Sequence, residues 1–335
     1  MHFPVWQNRR DTILFFRLLI PIVLWMATFS LNCFAQNSSS ILFSSEMKMT
    51  EAGAFSVITY NIAGLPEFIS SAVTKRSSSI AEIGEKLNRF DIAHVQEDFN
   101  YNKHLYNSGN SHPFRTKHKG KVPFGDGLNT LSNFPIHNLQ RIRWKDCSGT
   151  DCLTPKGFSF SRIEIAKDVF IDFYNVHANA WNHNSASAAR RKNIKQLSDY
   201  IKLNSAGNAI IVMGDLNARY CFFNDNVSLL NTDNGLTDVW VSEKNEGKFP
   251  DLSKEFPSED ILSITDSCET VDKILYKSSR EIDLTVADYK FENHLFSNTG
   301  GLPLSDHIPV SAKFFWKIHR KVHNSMEPIL TKNEK

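Results

Sequence analysis

Five apolar runs in this chain carry polar groups at one end, and that pattern restricts the fold more than any other feature. In chain order the motifs are Ile58-Thr59-Tyr60-Asn61, His94-Val95-Gln96-Glu97, Asn175-Val176-His177-Ala178-Asn179, Gly214-Asp215-Leu216-Asn217 and Ser305-Asp306-His307. Four close a run with apolar alternation, and the fifth precedes one. A core strand has no packing reason to end in an acid, amide or imidazole. Several strands that do so imply a sheet edge assembled for chemistry, and the groups are those that bind Mg²⁺ and phosphate.

The remaining chain predicts strands at 55–61, 92–96, 128–132, 157–165, 169–177, 209–215, 273–276 and 307–316. Helices are expected at 80–87, capped by Ser77-Ser78-Ser79, and at 185–203. Sequence-adjacent strands at 157–165 and 169–177 imply a hairpin and therefore mixed sheets. The fold class expected is α/β in one domain, two sheets packed face to face with helices outside.

Residues 1–35 read as an export signal: Arg9, Arg10 and Arg17 precede an apolar run, and Cys33-Phe34-Ala35 offers a small-x-small cleavage site. The alternative is an N-terminal membrane anchor. Residues 36–53 read as a flexible lead-in, 54–320 as the catalytic domain and 321–335 as a polar tail. The formal charge of +2 resides in the leader, which leaves 35 basic and 35 acidic residues. That balance argues mildly against a protein that grips long nucleic acid by charge. Four cysteines remain after the leader, and the pairing expected is Cys147–Cys152 with Cys221–Cys268.

Glu97 ends a buried run and presents a hard oxygen ligand. Asp215 and Asn217, two apart, are expected to share one side of an extended chain. His307 follows Asp306, and Asp272 in Val271-Asp272-Lys273 is a carboxylate placed to orient it.

Together the motifs resemble the endonuclease/exonuclease/phosphatase family over nearly the whole mature chain. The resemblance implies a four-layer, DNase I-like α/β sandwich. It implies Asn61, Glu97 and Asp306 as metal ligands for Mg²⁺, with Mn²⁺ or another divalent cation as substitutes. His177, Asn179 and Asn217 match phosphate contacts. His177, Asp215, Asn217, Asp272 and His307 form the catalytic set, and whether Asp215 or His307 takes the proton stays open. Lys156-Gly157 resembles the secreted sphingomyelinase branch. A phosphodiester with a phospholipid headgroup is therefore the expected substrate, with peripheral contact to a membrane surface and no obligate protein partner. Tyr220, Phe222 and Phe223 are candidates for a lipid-facing rim. The alternative is a secreted nuclease using Arg115, Lys117, His118, Lys119 and Lys121. A phosphoinositide phosphatase or a catalytically inactive binding scaffold ranks behind both.

Overall fold

The computed structural model describes residues 47–257 and 264–319, all within one compact unit, Met47–Lys335. The expected leader, most of the lead-in and the C-terminal tail lie outside the described residues. Among the described residues no helix is long and apolar enough to cross a membrane.

Among the described residues twelve strands form two six-stranded sheets. The first runs β11 (Ile282–Phe291), β12 (Val310–Ile318), β1 (Ala52–Asn61), β2 (Ile92–Gln96), β4 (Asn129–Ser132), β3 (Phe114–Arg115). The second runs β5 (Ile136–Arg143), β6 (Gly157–Ala166), β7 (Val169–His177), β8 (Ile210–Asp215), β10 (Asp272–Lys277), β9 (Thr237–Asp238). Each sheet holds one parallel pair, β1–β2 in the first and β7–β8 in the second, among antiparallel neighbours.

Strand periodicity explains the layering. On β1, Phe55 and Val57 point into the core between the sheets, whereas Ile58 and Tyr60 pack outward against α1 (Arg76–Lys86). A short α2 (Asn102–Asn107) adds Leu105 to that outer cluster. On the far side, α3 (Asn184–Asn204) lays Ile194, Leu197 and Ile201 on the second sheet. Short helices α4 (Leu229–Asn234) and α5 (Val239–Lys244) occupy the stretch read as loops around Trp240.

Some boundaries differ from expectation for local reasons. The last strand begins at Val310, not His307, because Pro309 has no N–H to offer the ladder, which starts at Val310 opposite Thr59. The three serines do not cap α1. Its N-cap is Lys75, with no side-chain bond, and Arg76 at the first turn is fully buried. In α3 the His183 ring accepts from the Ala186 N–H.

One buried titratable group sits in the centre of the core. His94 on β2 is 1% exposed, stands edge-on to Phe173 and has no hydrogen-bond partner on either ring nitrogen. Burial lowers its pKa to about 3, and the Met213 and Tyr174 carbonyls oppose this without reaching hydrogen-bond geometry. The unfolded chain then binds a proton that the folded chain refuses between pH 6.5 and 3, so this contribution is complete above pH 6.5 and is lost on acidification. A shift of this size is worth on the order of 5 kcal/mol. Urea unfolding of His94→Leu is expected to show a flatter loss of stability from pH 7 to pH 4 than wild type. Equal slopes would remove His94 from the account.

Candidate active site

The two parallel pairs deliver the site. Parallel neighbours end side by side, so Asn61 and Gln96 finish in register on one sheet, and His177 and Asp215 finish in register on the other. Asp272 opens β10 directly across from Asp215. Gly214 permits the approach of β8 to β7, since a methyl group there would overlap the Val176 carbonyl. Gly64 does the same against the Glu97 carbonyl. Beneath the site the sheets are joined by a buried polar link: Gln96 donates to Asn175 Oδ1 at 2.7 Å, and Asn175 donates to the Val95 and Asn129 carbonyls.

Beyond the strand ends the backbone turns sharply. Ala63, Glu97, Trp181 and Asn217 all adopt left-handed φ values, between 47° and 71°. Such residues carry strain and concentrate at functional sites. For Asn217 this corrects the expectation of an extended chain. Asp215 Oδ1 accepts the Asn217 N–H at 2.9 Å in a turn, and the Asn217 amide donates to the Ala178 carbonyl at 3.1 Å.

Asp215 is the hub. Its Oδ2 lies 3.1 Å from Asn61 Nδ2, 3.4 Å from His177 Nε2 and 3.7 Å from His307 Nε2. His307 Nδ1 lies 3.1 Å from Asp272 Oδ2. Burial alone would lower the His307 pKa, but Asp272 and Asp215, with Asp306, hold it well above the ordinary value. Burial also raises Asp272, to about 6, against the pull of His307. His177 is the opposite case: burial, then Lys156 and His307, keep it neutral. One charged and one neutral imidazole thus flank the same carboxylate.

Asp215, Asp272 and His307 also place ligand atoms within 4.8 Å of one another. A protonated His307 has no free lone pair to offer a cation, which leaves that trio with its two carboxylates as ligands. Glu97 is different. Burial raises its pKa, Lys156 opposes this, and Asp306 adds to it. Two carboxylates close enough to repel electrostatically, with the Asn61 amide beside Glu97, form a hard-oxygen donor set that suits Mg²⁺. Asn61 turns Nδ2 toward Glu97 (3.3 Å), while its Oδ1 accepts the Ala63 N–H (3.1 Å). In this arrangement the amide bridges carboxylates, and its oxygen becomes a ligand only if the amide turns over.

Asn179 lies at the end of the β7 loop, but its amide is engaged locally. Its Oδ1 accepts the Ser148 N–H at 2.7 Å, and its Nδ2 donates to the Ala180 carbonyl. Ser148 belongs to the loop closed by the Cys147–Cys152 disulfide. Cys221 and Cys268 are not bonded to each other, which corrects the second expected pairing. Cys221 is half-buried, and burial, with Glu269 beside it, pushes the thiol up to about 11, while Cys268 is exposed.

Several supporting residues carry no motif. Trp144 Nε1 donates to the His177 carbonyl at 2.7 Å. Arg76 donates to the carbonyls of Ile62, Ala63, Thr74 and Leu304, joining the Asn61 loop to the Ser305-Asp306 loop. Arg190 donates to the Asn179 and Trp181 carbonyls and pairs with Asp225 at 2.6 Å. Each has a partner far away in sequence, 33 residues for Trp144, 228 for Arg76 and 35 for Arg190, so no local signal reveals them. Lys156, singled out beside Gly157, pairs with Asp151 at 2.8 Å. Of the expected aromatic rim, Tyr220 and Phe222 are buried, Tyr220 between Phe249 and the Lys273 ammonium, and only Phe223 is exposed.

Glu97 and Lys156 share the wall of a cavity of 520 Å³ whose other lining includes Leu65, Ile69, Phe99, Val122, Pro123 and Leu153. Two mixed sheets with helices outside, and acids, amides and imidazoles at their joint edge, define a DNase I-like α/β sandwich. The chain belongs to the endonuclease/exonuclease/phosphatase family, whose family 2 model matches residues 41–313. A sphingomyelinase of Mycobacterium tuberculosis is 39% identical over 276 residues, 80% of this chain and 54% of the relative. The chain therefore spans about half the length of the curated relatives it matches. The crystal structure of sphingomyelinase C from Streptomyces griseocarneus matches with a TM-score of 0.54 at 17% identity, over 78% of this chain and 99% of that one. A Staphylococcus aureus beta toxin structure with bound magnesium ions gives 0.53 at 16% identity, over 78% and 99%. These likenesses establish the fold, which by itself selects no substrate.

Proposed function

We propose that this chain is a secreted, Mg²⁺-dependent phosphodiesterase that hydrolyses sphingomyelin to phosphocholine and ceramide. The observation that carries the proposal is the apolar cavity with Glu97 and Lys156 in its wall. An apolar approach to a carboxylate-and-lysine centre suits a lipid phosphodiester better than a polyanion. The sphingomyelinase relative at 39% identity supports the same substrate. Secretion is supported by the export-type leader and by the Cys147–Cys152 bond, a feature of oxidising compartments.

Glu97 and Asp306, with the Asn61 amide, would hold Mg²⁺, which when bound neutralises charge developing on the phosphoryl oxygens. Asp215 is placed to accept the proton of the attacking water. A charged His307 is the donor of the pair, to a phosphoryl oxygen or to the leaving ceramide oxygen. Neutral His177 and Asn217 position the phosphate. The P–O bond to ceramide breaks as the bond from phosphorus to water forms.

The nuclease reading loses most of its basic cluster. Arg115 donates to the carbonyls of Tyr106, Asn110 and His112, Lys119 pairs with Asp126, and His118 bonds the Asp98 carbonyl. Purified protein with Mg²⁺ is expected to release phosphocholine from sphingomyelin vesicles and leave supercoiled plasmid intact. Nicking without phosphocholine release would reverse the assignment. Neither activity would point to another ester or to an inactive scaffold.

A further inference from the structure

We infer that the rim of the cavity is a bilayer-docking face built from the apolar tips of four separate loops. Phe68 and Ile69 lie on the loop after β1, Phe124 follows Pro123, Leu153 directly follows the disulfide-closed loop, and Trp181 lies beyond β7. Their exposures are 87%, 53%, 80%, 69% and 60%. Scattered surface hydrophobes need no explanation, but five large ones around one opening do.

Their placement around the opening follows from the cavity itself. Ile69 and Leu153 line it together with Glu97 and Lys156, and so do Pro123 and Ala180, the chain neighbours of Phe124 and Trp181. Any molecule seated on these tips therefore has its polar end at the carboxylate centre. A bilayer meets that description. Its headgroups reach inward to Glu97 while its acyl region receives the rim side chains, as interfacial apolar groups do when buried roughly 5–10 Å into a membrane. Lys117 and Lys121 are exposed on the same loop as Phe124 and supply cations for lipid phosphates. A protein partner would be met by a flatter, continuous face, whereas here the tips ring a hole. The inference rests on the lipid-substrate reading and deepens it.

The test uses phosphatidylcholine vesicles that contain no sphingomyelin, so that docking is read without turnover. Phe68 and Phe124 are the probes, because both are exposed and neither lines the cavity. Wild-type protein is expected to co-sediment with the vesicles. Phe68→Ser/Phe124→Ser is expected to bind on the order of tenfold weaker or worse, with an unchanged melting temperature. Hydrolysis of vesicle-embedded sphingomyelin should fall in parallel. Loss of vesicle binding in a protein that hydrolyses no sphingomyelin would still support docking while removing the substrate assignment. Unchanged vesicle binding in the variant, with sphingomyelin still hydrolysed, would overturn docking and leave the substrate in place. Failure of wild type to bind vesicles, with a rim-dependent dimer in sedimentation velocity, would assign the face to a second copy and also overturn the inference.

Discussion

His307→Gln is expected to reduce turnover by roughly 10²- to 10⁴-fold, the range typical for loss of a positioned proton donor or acceptor. Its ring is part-exposed and contacts Asp215 and Asp272 only through its nitrogens, so the fold should survive. Asp272→Asn gives a sharper test of how His307 works. Asp272 is the first of the carboxylates that raise the His307 pKa. If charged His307 is the donor, wild-type activity holds at neutral pH and declines as alkaline pH removes its proton. Removing the Asp272 charge lowers the pKa and moves that decline toward neutrality. The same sign governs the alkaline side of stability: the contribution of protonated His307 is lost as pH rises through its folded value, while Asp272, raised to about 6, limits the ion pair on the acid side. An alkaline limb that stays in place in Asp272→Asn would mean that another group sets it.

The largest expected effect on stability comes from Arg190→Met. The Arg190 and Asp225 side chains are 1% and 0% exposed, and Asp225 Oδ2 also accepts the Arg219 N–H at 3.0 Å. Burial raises the Asp225 pKa despite the guanidinium beside it, so the carboxylate depends on that partner. Removing Arg190 strands a buried acid and leaves the Asn179 and Trp181 carbonyls without a donor. The expected cost is about 3–5 kcal/mol in urea unfolding. Arg190→Met/Asp225→Leu should recover part of it, because no buried charge is then left alone. A single variant as stable as wild type would show that the clamp is dispensable.

The legible part of this molecule is the part written locally. The strands 92–96 and 169–177 are legible to their boundaries, because the first is buried throughout and the second at every position but Phe170, each bounded by turn residues. The strand β11 was missed. It alternates irregularly, is half-exposed and slips register between Ala287 and Lys290. The strand β5 was missed because most of its residues face solvent. At the site, strand-end chemistry exposed Asn61, Glu97, His177 and Asp215 as candidates, since parallel strands must bring such ends together. Arg76 was invisible because its contact with the Leu304 carbonyl spans 228 residues. The aromatic run at Tyr220 misled for a related reason. Closeness to Asp215 in sequence says nothing about whether a ring turns outward, and Tyr220 bonds Asn231 and Asp238 inside.

The most direct measurement is phosphocholine release from sphingomyelin vesicles across a Mg²⁺ titration, with chelator as the zero point and Glu97→Gln alongside. The account predicts a rate that saturates with Mg²⁺, vanishes in chelator and returns on re-addition. In Glu97→Gln it predicts a titration shifted to much higher Mg²⁺. Hydrolysis that persists unchanged in chelator, or a Glu97→Gln titration that overlays wild type, would contradict it.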